Sequence, residues 1–156
     1  MPRVVGGGAH GRHRVGCGDG TFTAALDSDV IIVIGARPAQ NHPVAATFIK
    51  NAKKRGAKLI VIDPRRQALS RHADTMLQFK PGTDVALLNA MIHTIIDEGL
   101  TDEQYIQGYT ENFEALKKGV ADFTPEKMSD VCGIAPETIR AVARDYATAE
   151  KSIIFW

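Results

Sequence analysis

Two short apolar runs set the pattern of the chain. Val30–Ile34 and Lys58–Ile62 are rich in β-branched side chains, and they stop at Gly35 and at Asp63-Pro64. Runs this short, bounded by Gly and Pro, predict strands buried on both faces. Between them Val44, Ala45, Phe48, Ile49 and Ala52 recur at helical spacing, with Lys50, Lys53, Lys54 and Arg55 outside the stripe. Pro43 suits the first position of that helix and Gly56 its exit. Strand, helix and strand in this order form a βαβ unit with parallel strands and a right-handed crossover.

The pattern continues in the same style. Thr21–Ser28 is mixed and leads into the first strand, Gln67–Asp74 is a polar, partly helical connection, and Thr75–Phe79 predicts a short third strand. Lys80-Pro81-Gly82-Thr83-Asp84 is a turn, and the helix after it runs to about Glu98. Val85, Leu88, Met91, Ile92, Ile95 and Ile96 give that helix a wide apolar face, with Thr83 or Asp84 as its cap and Gly99 as its stop. Thr101–Gln104 matches a capping box, so a short helix follows to about Gly108. Phe113, Leu116 and Val120 continue with helical spacing, and Thr124-Pro125-Glu126 opens a further helix ending near Cys132-Gly133. Pro136 opens the last helix, carried by Ile139, Val142, Ala143 and Tyr146. Ser152–Trp156 reads as the first half of another buried strand; left bare it would expose a large apolar area, so more chain is expected to cover it. The class is α/β, with helices flanking a parallel sheet.

A length of 156 residues gives one domain with room for a core. With 19 basic against 18 acidic residues and a net charge of +1, a dedicated nucleic-acid surface is not expected. No apolar run approaches the ~20 residues of a membrane span, and no export leader is visible, which gives a cytoplasmic expectation. Cys17 and Cys132 belong to no CxxC pair and read as free thiols. Residues 1–20 differ from the rest: they hold seven of the fourteen glycines and show no helical or strand period. They read as a disordered or unrelated tail before a domain over 21–156. His10, His13 and Cys17 are an incomplete metal-ligand set, and Gly7, Gly8 and Gly11 follow no strand, as a phosphate loop would require.

Parallel α/β sheets bind ligands beyond the carboxyl ends of their strands. Here those ends carry Gly35–His42 and Asp63–Arg66. The first loop leads into a helix N-terminus, which favours an anion such as a diphosphate. Asp63 lies where it can accept from a ribose or a base. GxGxxG is absent and Gly35 is the single glycine of its turn, so the loops also read as plain connectors. Asp84 has two compatible readings, a helix cap and a carboxylate aimed at a base. His72 and His93 have no Ser, Cys or carboxylate at a spacing that names a triad, and HExxH, GxSxG and GxxxxGKS/T do not occur. The residues alone thus reach a nucleotide-binding α/β domain with no catalytic or metal-ligating residue assigned.

Several stretches resemble the molybdopterin oxidoreductases of the dimethyl sulfoxide reductase type. These are Val33-Ile34-Gly35-Ala36, Pro38, Asn41–Ala46, Ile62–Arg66, Gln78–Met91 and Cys132-Gly133-Ile134. Within that superfamily the chain is most similar to the catalytic alpha subunit of molybdenum- or tungsten-dependent formate dehydrogenases. The resemblance covers about Ala24–Trp156 and an internal part of such a subunit. It implies an incomplete Rossmann-like parallel sheet binding the guanosine end of one molybdopterin guanine dinucleotide. On that resemblance Gly35, Arg37, Gln40 and Asn41 lie along the diphosphate and ribose, and Ile62, Asp63 and Arg65 border the nucleoside. Gly82 and Asp84 meet the guanine, whose N1–H and exocyclic amine offer two adjacent donors to one carboxylate. Position 37 departs from the family pattern, Arg standing where Asn is common.

The resemblance also implies what the chain leaves to other polypeptide. The iron–sulfur cluster and the metal-ligating Cys or selenocysteine, with the His after it, belong upstream; Cys17 is followed by Gly18 and does not take that role. The expected whole is an enzyme that oxidises formate to carbon dioxide. Its expected partners are the remainder of the catalytic subunit and iron–sulfur electron-transfer subunits. Two other readings stand beside it: a stand-alone nucleotide-binding module without metal chemistry, and a non-catalytic interaction subunit docking through Ile153–Trp156.

Overall fold

The computed structural model describes residues 13–16 and 22–156. These form a sheet of five strands: β1 (His13–Gly16), β2 (Val30–Ile34), β3 (Lys58–Ile62), β4 (Thr75–Leu77) and β5 (Lys151–Phe155). Their spatial order is β1-β5-β2-β3-β4, and every neighbouring pair is parallel. β2 and β3 occupy the bounds that the apolar runs predict. Counted from β2, the strands step outward to β4, and the chain then returns to place β5 on the other side of β2. That is the 3-2-1-4 order of a doubly wound sheet, with its switch point between β2 and β5.

The helices follow the same chain order: α1 (Pro38–Asn41), α2 (Pro43–Lys54), α3 (Asp84–Asp97), α4 (Glu103–Tyr109), α5 (Phe113–Val120), α6 (Pro125–Cys132) and α7 (Pro136–Thr148). Alternation along the strands sends side chains to opposite faces. Ile31, Val33, Leu59, Val61, Ile153 and Phe155 pack with Ile49 and Ala52 of α2. Val30, Ile32, Ile60, Ile62 and Leu77 pack with Leu87 and Met91 of α3, Cys132 of α6 and Ile139 and Val142 of α7. Ile31, Leu59, Ile60, Val61 and Ile62 are fully buried. Each such side chain contributes about 1.5–3 kcal/mol of transfer free energy, which makes this sandwich the main stabilising term.

Asp29 staples the amino edge of the sheet. Its N–H donates to the Lys151 carbonyl at 2.8 Å, its carbonyl accepts from Lys58 N–H at 2.7 Å, and its carboxylate accepts from Lys151 N–H at 2.9 Å. One residue thereby fixes the relative heights of β5, β2 and β3.

Three expectations are corrected. His13–Gly16 forms a strand although the sequence around it has no strand period; it pairs in parallel with β5, His13 opposite Lys151 and Gly16 opposite Ile154. The remainder of residues 1–20 lies outside the described residues. Ser152–Trp156, by contrast, does belong to the buried strand the sequence predicts: β5 fills the slot between β1 and β2, with Ile153 and Phe155 buried and Trp156 exposed. The helix after Pro81 is capped by neither predicted side chain: Thr83 takes the cap position, but its hydroxyl donates to the Lys80 carbonyl at 2.6 Å, and Asp84 is the first helical residue. In α4 the cap is Asp102, not Thr101, its carboxylate accepting from Tyr105 N–H at 3.0 Å.

Candidate functional site

The carboxyl ends of β2, β3 and β4 lie side by side, because Ile34, Ile62 and Leu77 are register partners. Two interstrand steps of about 4.8 Å set the outer tips roughly 10 Å apart. Backbone hydrogen bonds continue the row past the strands: Gly35 N–H donates to the Ile62 carbonyl at 2.9 Å, and Asp63 N–H to the Leu77 carbonyl at 3.1 Å. The three loops that follow therefore share one rim.

Gly35 turns the chain out of β2 with φ of 60°, a left-handed conformation that a side chain disfavours. Arg37 then sits at the N-cap of α1, and its carbonyl accepts from Gln40 and Asn41 N–H at 2.9 and 3.0 Å. This single turn of helix is absent from the sequence prediction; Pro38 at its first position is the signal that could have revealed it. Gln40 and Asn41 are exposed on the turn and Arg37 is half-buried.

The loop after β3 is built differently. Ile62 is fully buried, so it offers the rim only backbone. Asp63 is 3% exposed, and its Oδ1 accepts from Arg65 N–H at 2.7 Å. Its carboxylate closes its own turn and holds the Arg65 backbone in place, while Arg65 and Arg66 are exposed.

The third loop is clamped from below. Lys80 N–H donates to the Cys132 carbonyl at 2.9 Å, and Lys80 Nζ donates to the Asp130 carbonyl at 2.9 Å. An ammonium group on the last carbonyls of α6 is favoured by the helix dipole. Gly133, with φ of 76°, ends α6 directly beneath the Lys80 side chain. The clamp fixes the turn containing Gly82, whose φ is 80°. Beyond it Asp84 lies exposed in the first turn of α3, and among the described residues no hydrogen bond or ion pair occupies its carboxylate.

Two side chains to which the sequence assigns no site role join the loops. Gln67 Nε2 donates to the Ala36 carbonyl at 2.7 Å, and Gln78 Nε2 donates to the Pro64 carbonyl at 3.2 Å. Gln67 lies in none of the family-like stretches and Gln78 only opens one, and neither position reveals its partner, since each acts on backbone far away in sequence.

The rim thus offers guanidinium groups and turn amides at its β2 and β3 side and a free carboxylate at its β4 side. Among the described residues no cluster of three His, Cys, Asp or Glu side chains could hold a metal. His72 is exposed; His93 is half-buried in α3, and its buried Nδ1 has no hydrogen-bond partner among the described residues. A separate apolar groove of about 340 Å³ lies between α3, α4 and α5, lined by Ile92, Ile96, Tyr105, Ile106, Phe113 and Leu116. Ile92, its lining residue on α3 nearest to Asp84, is eight residues further along the helix, about 12 Å at helical rise, so the groove is separate from the helix start at the rim.

Strand order, switch point and rim together define a doubly wound α/β domain of the kind that carries ligands beyond its strand ends. The sequence pattern of the molybdopterin oxidoreductase family matches residues 19–156, and the chain belongs to that family. It is 41% identical over 143 residues to formate dehydrogenase H of Escherichia coli, covering 89% of this chain and 20% of that protein. A formate dehydrogenase subunit alpha of Methanocaldococcus jannaschii is 43% identical over 143 residues, covering 89% of this chain and 21% of that subunit. Among solved structures, acetylene hydratase from Pelobacter acetylenicus superposes with a TM-score of 0.78 at 32% identity, covering 86% of this chain and 20% of that one. The chain spans about a fifth of the length of the curated relatives it matches. No helix among the described residues is long and apolar enough to cross a membrane.

Proposed function

We propose that this chain is the part of a formate dehydrogenase-like catalytic subunit that grips the guanosine end of molybdopterin guanine dinucleotide. The carrying observation is that three parallel strand tips in one register row present a cationic, amide-rich loop at one end and the unpartnered carboxylate of Asp84 at the other. A nucleoside diphosphate has the matching order of charge: anionic phosphates, then a ribose, then a base whose guanine edge donates twice.

The site residues divide the task. Gly35 lets the backbone approach the diphosphate, and Arg37, Gln40 and Asn41 on α1 and its cap supply donors to phosphate and ribose. Arg65, exposed beside the turn that Asp63 closes, faces the nucleoside, while Ile62 and Asp63 serve as its rigid border. Gly82 brings the third loop close to the base plane, and Asp84 accepts from N1–H and the exocyclic amine. When bound, the cofactor supplies the metal that takes two electrons from formate in the whole subunit. The residues described here hold and orient its nucleotide end; metal ligands and the iron–sulfur relay belong to other polypeptide. Partners are then the remainder of the catalytic subunit and iron–sulfur electron-transfer subunits.

Calorimetric titration of the purified chain with GDP and ADP tests the reading. GDP is expected to bind at least about ten-fold more tightly, the worth of one well-made hydrogen bond. Equal affinities, or a preference for ADP, would overturn the guanine assignment.

A further inference from the structure

We propose that Gln67 is a positioning residue that sets the distance between the diphosphate loop and the nucleoside loop without touching the ligand. The inference rests on the guanosine-diphosphate reading of the rim. Gln67 precedes the 3₁₀ turn Ala68–His72, and its Nε2 crosses to the Ala36 carbonyl at 2.7 Å. Ala36 stands between the left-handed Gly35 and the α1 cap at Arg37. Within the loop, the hydrogen bonds of Gln40, Asn41 and His42 N–H all run to Arg37 and Pro38, so they stiffen α1 without tying it to the sheet. Gly35 N–H is tied to Ile62 at the strand end, and Gln67 supplies the tie one residue further out.

Gln67 is itself held firmly. Its N–H donates to Ser70 Oγ at 3.2 Å, and Ser70 Oγ donates to Met76 Sδ of β4 at 3.3 Å. The strap therefore runs from β4 through the β3 loop to the β2 loop. Its amide is half-satisfied: among the described residues the buried Oε1 has no hydrogen-bond partner. An orphaned buried acceptor offsets much of what the Nε2 bond contributes, so as a stability device the residue is poor. What remains is geometry. The same reasoning predicts that an apolar side chain of equal length leaves thermal stability nearly unchanged while the loop loses its tether.

Gln67→Met in the full chain tests this by two readouts. Amide hydrogen exchange at Gln40, Asn41 and His42, measured without ligand, is expected to quicken about ten-fold, the loss of one hydrogen bond. GDP is expected to bind about ten-fold more weakly while guanosine, which lacks the diphosphate, binds unchanged. Exchange and GDP affinity both within about two-fold of the parent would overturn the proposal. So would equal losses for GDP and guanosine accompanied by a lower melting temperature, since that is general destabilisation. If the parent chain fails to bind GDP, the guanosine reading falls, and the exchange rates alone decide whether Gln67 holds the loop. If Gln67→Met does not fold, Gln67→Glu, which keeps the size and removes the donor at neutral pH, decides by the same two readouts.

Discussion

Asp84→Ala separates recognition from folding. The carboxylate is exposed in the first turn of α3 and carries no hydrogen bond among the described residues. Removing it forfeits a helix-dipole interaction of about 0.3–1 kcal/mol, and Ala returns part of that through its better helix propensity. The net change in stability is thus within about 0.5 kcal/mol, or about 2 °C in a chain of this size. Binding responds differently. Two donors on the guanine edge lose their shared acceptor, which costs about 1–3 kcal/mol, or about 5- to 150-fold in Kd. Inosine diphosphate sharpens the assay, because hypoxanthine keeps N1–H and lacks the amine. The parent chain is expected to prefer GDP to inosine diphosphate by about ten-fold in calorimetric titration, and Asp84→Ala to bind both alike. If the preference survives the substitution, the carboxylate does not read the amine. If affinity falls only in step with the melting temperature, the loss is structural.

Two further outcomes follow from the packing and the charges. Gly133→Ala forces a side chain onto a residue with φ of 76° and brings its Cβ to 3.3 Å from Lys80 Cε; it is expected to cost about 1–2 kcal/mol and lower the melting temperature by about 2–8 °C, and an unchanged melt would show that the Lys80 clamp is slack. At acid pH, burial pushes the Asp74 carboxyl up, but the Lys53 ammonium, Leu59 N–H and the charges of Lys53 and Lys58 outweigh it and hold the group below 3.8. The hydrogen bonds from Arg144 likewise hold Glu98 below 4.5. Both groups bind protons less readily folded than unfolded, so their stabilisation is complete above the unfolded values and drains as pH falls through the folded ones. The denaturant midpoint is expected to drop from about pH 4.5 downward, with a shallower fall in Asp74→Asn; an acid limb identical in parent and variant would remove Asp74 from the account.

The buried strands were legible because their chemistry is local. Val30–Ile34 and Lys58–Ile62 carry β-branched side chains on both faces and end on strong breakers, so even their bounds hold. The helices opened by Pro43, Pro125 and Pro136 were legible for the same reason. Caps were less so: Thr83 and Asp102 have near-equivalent polar neighbours, and the choice among them depends on backbone angles that the pattern does not carry. His13–Gly16 was invisible because its pairing is imposed by β5, far away in sequence. At the rim, the two loops and Asp84 could be named from strand ends and helix starts. Burial was the missing quantity at Asp63, whose side chain closes its turn, and non-local bonding was the missing quantity at Gln67 and Gln78.

The position of β5 has a consequence for how the molecule is assembled. A ribosome releases β2, α2, β3 and β4 in close succession, and their pairings span short separations that close quickly. The partner that β2 needs on its other side emerges more than a hundred residues later, in register with Val30 at Ser152. Throughout that interval the nascent sheet carries an open, apolar flank along β2, the kind of template on which foreign strands dock. Filling the slot with Lys151–Phe155 is both the latest pairing among these strands and the act that removes the hazard, so holding factors that shield β2 during synthesis would raise the yield of folded protein most.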